Sequence, residues 1–170
     1  MRTRLRTAAC LVVALLLASC GGGNPITASI QDSCKIPLLY ANGSGTGSGT
    51  PIRTTLTESA PGKFNPCPLQ KINSASVTLC LDHPQISELT AQLRLPDNST
   101  LTLTLPTTAS GPACLTNGTP FSVPLPANRL PHPNSGNGNW TVGVIDTDTL
   151  SVSNPRGMLV GWSMSVEGLK

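Results

Sequence analysis

Apolar and polar residues alternate with a period of two in a series of short runs along this chain. In SASVTLCL, Val77, Leu79 and Leu81 share one side; in LTAQLRL, Leu89, Ala91, Leu93 and Leu95 do. TLTLTL alternates strictly through Leu101, Leu103 and Leu105. NWTVGVI groups Trp140, Val142 and Val144, and LVGWSMSV groups Val160, Trp162, Met164 and Val166. Successive side chains of a strand point to opposite faces, so each run makes a strand with one face to bury. The Thr and Val content suits a pleated surface. Between the runs lies turn chemistry: PDNS, SGP, TNGTP, PHPNSGNGN and NPRG. No segment sustains a helical period, and 16 prolines would interrupt one. Strands of this kind hide their apolar faces by stacking two sheets, so the expected class is all-β, a β-sandwich.

The first twenty residues, MRTRLRTAACLVVALLLASC, combine three arginines, an apolar run from Ala8 to Ala18 and a terminal Cys20. A basic start, a short apolar stretch and small residues before a cut describe a secretory signal. The run is well short of the roughly 20 residues that span a bilayer. Leu17 to Cys20, LASC, resembles the bacterial lipobox, in which the cysteine thiol is lipidated and the chain is cut before it. The expectation is a signal peptide over residues 1–19 and a mature chain held to membrane lipid through Cys20, anchored rather than spanning. Gly21 follows the cysteine where an aspartate would resemble an inner-membrane retention signal. The expected address is therefore the bacterial cell envelope, at the outer membrane.

Cleavage changes the charge balance. The whole chain holds 11 Lys+Arg and 8 Asp+Glu; without Arg2, Arg4 and Arg6, eight stand against eight. The excess of basic charge belongs to the signal, and no Lys/Arg cluster with interleaved aromatics remains, which argues against nucleic acid as a partner. Of six cysteines, Cys10 leaves with the signal and Cys20 takes lipid. Cys34, Cys67, Cys80 and Cys114 remain, an even number in an oxidising compartment, which reads as two disulfides. Three connectivities are open, and the preferred one is Cys34–Cys67 with Cys80–Cys114. A zinc site is the rival, and the absence of any closely spaced cysteine pair speaks against it.

Residues 20–51 read as a lipidated tether and Gly/Ser-rich linker. GGGNP follows the lipid, and NGSGTGSGTP (Asn42 to Pro51) has the composition of flexible coil. Between them, IQDSCKIPLLY is an apolar patch expected to be pinned to the body through Cys34. Residues 52–170 then form one domain of ordinary size for a single core.

Two blocks within that domain resemble the P domain, or P/Homo B domain, of the subtilisin-like proprotein convertases. The first carries His83, Glu88-Leu89, Leu95-Pro96 and Ser99-Thr100, with Glu88 in place of the usual Asp and Asn98-Ser99 in place of the usual Ser-Gly. The second carries Gly138, Trp140, Val142, Val144, Asp146, Gly157, Leu159, Trp162, Met164, Val166 and Gly168. The resemblance covers roughly Asn73 to Gly168. It implies a jelly-roll sandwich of the galactose-binding-like kind, non-catalytic, which in that family packs on a serine endopeptidase domain and aids its folding and stability. The catalytic flanks of such a protease, DTG, HGT and GTS, do not occur here, and the only histidines are His83 and His132. No triad is expected; PHPN around His132 lacks a nucleophile elbow.

The remaining candidates each have two readings. Asp146 and Asp148 lie on the same side of a strand. They either contribute to a calcium site, with Asn134, Asn137 and Asn139 as further oxygens, or cap the strand end through backbone N–H groups. The second is preferred, and no cofactor is expected. His83 is expected to be structural, bonded to a neighbour, and Trp140 and Trp162 to lie in the core rather than on a sugar platform. Two functions remain: a surface-anchored module that docks on a protein partner such as a protease, and a carbohydrate-binding or calcium-dependent adhesion module.

Overall fold

The computed structural model describes residues 30–43, 49–115, 117–131, 138–148 and 156–170. The signal peptide, Cys20, His132, Asn134 and Asn137 lie outside these residues, as does 44–48 of the Gly/Ser-rich stretch. In chain order the strands are β1 (Gln31–Tyr40), β2 (Thr50–Ile52), β3 (Thr57–Glu58), β4 (Lys71–Asp82), β5 (Leu89–Arg94), β6 (Thr100–Leu103), β7 (Thr119–Pro124), β8 (Thr141–Asp146) and β9 (Gly157–Leu169). Short 3₁₀ turns stand at Ile86–Glu88 and Ala127–Arg129, and the described residues hold no α-helix. One sheet runs β1-β9-β4-β7, with β2 also on β9; the other runs β3-β8-β5-β6. All strand pairings are antiparallel. The molecule is an all-β sandwich.

The alternating runs face each other across its middle. Val77, Leu79 and Leu81 of β4 oppose Ala91 and Leu93 of β5 and Val142 and Val144 of β8, all fully buried. Trp140 and Trp162 are the largest buried side chains. The segment Ser59 to Gly62 threads between them. Gly62 exchanges both backbone hydrogen bonds with Trp140, and the Ala60 carbonyl accepts the Trp162 indole N–H at 3.2 Å. A Cβ on Gly62 would lie 2.7 Å from Ile36 and 2.8 Å from the Trp162 ring. Only glycine lets that segment cross so close. Phe64 meets Trp140 edge-on, with ring centres 5.7 Å apart, a favoured aromatic geometry.

Two expectations are corrected. The sandwich does not begin at Ile52: Gln31–Tyr40, placed in the tether, is a full strand paired along β9. Its own residues explain this, because Cys34 and Ile36 alternate inward and are buried in the core. Thr50 and Pro51, placed in the linker, begin β2. The second correction concerns Val160. Opposite Cys80 and Leu81 the β4–β9 register shifts, so Leu81 pairs with Leu159 and Cys80 with Gly161. Val160 is the extra residue of a bulge, which reverses the alternation. Leu159, rather than Val160, shares the inner face with Trp162, Met164 and Val166.

The cysteines pair Cys34–Cys67 and Cys80–Cys114. The first bridge fastens β1 to the chain entering β4 and packs in the core. The second fastens β4 to the segment before β7. The β5–β6 hairpin closes through Pro96 to Ser99. Asn98 adopts φ 67°, its amide bonds the Leu95 carbonyl, and Leu95 N–H returns to Ser99. Asp97 accepts both the amide and the hydroxyl of Ser99, and these bonds hold its carboxyl below the usual value.

Candidate functional site

β4 and β8 end, and β5 and β9 begin, at the same end of the sandwich: Asp82 pairs with Met158 and Leu89 with Asp146. Here the inward alternation of β8, after Trp140, Val142 and Val144, reaches Asp146, which is only 1% exposed. A carboxylate so placed needs a partner. His83, one residue past β4, supplies it: Nε2 lies 3.2 Å from Asp146 Oδ2, with both side chains shielded from solvent. The contact ties the two sheets together at their rim. Gly157 makes room for the imidazole, since a Cβ there would stand 2.5 Å from His83 Cδ2.

The other ring nitrogen is held by the backbone. His83 Nδ1 lies 3.0 Å from the Gln85 carbonyl and 3.1 Å from the Gln85 amide. When Nε2 donates to Asp146, a neutral ring accepts the Gln85 N–H at Nδ1. When Nδ1 carries the proton, it donates to the Gln85 carbonyl. The loop thus accommodates either tautomer. With both nitrogens engaged, and no hydroxyl or thiol among the described residues bonded to it, His83 has no nucleophile to activate.

Around this pair stands a ring of charge. Asp146 Oδ1 accepts the Asp148 amide at 2.9 Å, closing the turn after β8. The Asp148 carboxylate bonds the Arg156 guanidinium, which also reaches Glu88 Oε2 at 3.4 Å. Thr147 adds two bonds to the Glu88 carbonyl, from its amide at 2.8 Å and its hydroxyl at 2.6 Å. His83, Glu88 and Asp146 each bring one ligand-type atom to within 4.8 Å of the others. Asp146 and Asp148 are thus neighbours turned to different partners, His83 on one side and Arg156 on the other. Asn139, considered as a further oxygen for the same ion, stands at the far end of β8, on the order of 20 Å away at ~3.3 Å per residue. It cannot share an ion with Asp146.

Trp140 and Trp162 offer no face to a sugar, since both are buried in the core. An open groove of about 590 Å³ lies among Gln70 to Asn73, Ala127, Asn128 and Leu130. It sits at the opposite end of β4 and shares no residue with the charged cluster. Sequence reasoning missed Gln85, Glu88 and Arg156 as members of the cluster. The signal for a buried partner was available in the parity of Asp146, which matches Trp140, Val142 and Val144. Nothing local marked Arg156.

No family model matches the sequence, and no curated protein does. The solved structures that match include the serine protease of Aeromonas sobria and the complex of that protease with its chaperone. The first covers 86% of this chain at 18% identity and a TM-score of 0.51. The second covers 87% at the same identity and TM-score. This chain spans 28% of the length of each matched chain. At that identity the likeness is one of fold: a β-sandwich similar to this one occurs in both structures.

Proposed function

We propose that this chain is a membrane-anchored, non-catalytic sandwich of the P/Homo B type, acting as an interaction or stabilising module for a serine endopeptidase. The observation that carries the reading is the likeness of nearly the whole chain to about a quarter of a serine protease structure. Two features support it. The closing block resembling the P domain supplies the core of this sandwich, from Trp140 through β8 and again from Leu159 through β9. His83 and Asp146, one from each resembling block, meet across the two sheets. The jelly-roll, galactose-binding-like assignment goes with the same resemblance. LASC at Leu17 to Cys20 supports lipid anchoring at the outer membrane.

The test uses the full chain in its own envelope. Cross-linking followed by a fluorophosphonate probe is expected to label a serine hydrolase in the captured material, and Cys20→Ser to release the chain from the membrane fraction. Recovery without any probe-reactive partner, together with calcium-dependent binding on a glycan array, would replace this reading with the adhesion module.

A further inference from the structure

We infer that His83, Glu88 and Asp146 form a binding site for a divalent transition metal of the zinc class. Three observations converge. The ligand types are right, since imidazole nitrogen and carboxylate oxygen are both ordinary zinc donors and three protein ligands leave the fourth position to water. The geometry is partly built. Two ligands bound at zinc distances in a tetrahedron stand roughly 3.3–3.6 Å apart, and His83 Nε2 and Asp146 Oδ2 already stand 3.2 Å apart. All three ligand atoms lie within 4.8 Å of one another, so Glu88 closes the set by a small movement of its side chain.

The supporting shell is the third observation. A metal-bound histidine usually donates its other N–H to a carbonyl, and ligating carboxylates are themselves hydrogen-bonded. His83 Nδ1 lies 3.0 Å from the Gln85 carbonyl, and Asp146 Oδ1 accepts the Asp148 amide at 2.9 Å. Metal binding at Nε2 displaces its hydrogen bond to Asp146 and holds the neutral imidazole as the Nδ1–H tautomer, its one proton donated to the Gln85 carbonyl. Arg156 is the resident competitor. Its contact with Glu88 is long at 3.4 Å, and Asp148 retains the guanidinium when Glu88 turns to the metal. Calcium fits poorly, because it takes six to eight oxygens and this set includes a nitrogen.

The experiment titrates the full purified chain with zinc chloride by calorimetry, with calcium chloride as the comparison. One zinc per chain is expected, with calcium at least a hundredfold weaker. Glu88→Gln is expected to weaken zinc at least tenfold; its side chain is 23% exposed, so the variant is expected to fold even if His83→Gln does not. Arg156→Ala is expected to tighten binding. Cobalt(II) should give the visible spectrum of a four-coordinate nitrogen–oxygen site. Absence of saturable zinc uptake overturns the inference, as do equal affinity for calcium or uptake indifferent to Glu88→Gln and Arg156→Ala.

Discussion

Asn98 occupies the left-handed position of the β5–β6 turn, with φ 67°. Asparagine tolerates that region, whereas a β-branched residue does not. Asn98→Gly is expected to stay within about 0.5 kcal/mol of the parent, and Asn98→Val to lose about 1–2 kcal/mol in urea unfolding. In the same turn, the Ser99 hydroxyl lowers the pKa of Asp97. A carboxyl depressed in the folded state adds stability above its unfolded pKa and loses it as pH falls through the folded value. Ser99→Ala is therefore expected to raise the Asp97 titration midpoint by NMR and to move acid unfolding to higher pH. The two tryptophans also differ. Trp162 donates to Ala60, while the Trp140 indole N–H has no partner among the described residues. Trp162→Phe removes one of the two donors to the half-buried Ala60 carbonyl, the Ser59 hydroxyl being the other, and is expected to cost more than Trp140→Phe, by about 0.5–1 kcal/mol.

At the scale of elements, β1 depends on its disulfide. It lies at the edge of its sheet, and Cys34–Cys67 closes a 33-residue separation. Replacing both cysteines with alanine is expected to cost about 2–4 kcal/mol and to accelerate hydrogen exchange first in β1. The Ser59 to Gly62 crossing is equally specific, and Gly62→Ala is expected to lose about 1–3 kcal/mol by overpacking against Trp162. The inner strands were readable from sequence because burial on one face imposes a strict period of two, as in Val77, Leu79 and Leu81. β1 was not, because its short apolar stretch is interrupted at Pro37 and flanked by glycine-rich tracts. The bulge at Val160 was hidden for another reason: Leu159 and Val160 are both apolar, so the shift left no mark in the pattern. The charged cluster was half legible, since Asp146 carries its parity, while Glu88 and Arg156 reach it only through the way strands of the two sheets end together.

Across the whole molecule, the two sheets are joined by a hydrophobic middle and fastened at one rim by His83 and Asp146. The outer surface keeps hydroxyl and charged side chains, and the core is closed. A sandwich so arranged has surfaces and loop ends to offer a partner, and His83 lies where the two sheets meet at one rim. Anchored by lipid, it would present those surfaces at the membrane to a secreted or envelope protease. The most direct check is the half-life of that protease. The serine hydrolase captured with the chain should lose activity more slowly when the chain is present, and faster in cells where the chain is deleted. An unchanged half-life in both settings would contradict a stabilising role for this sandwich.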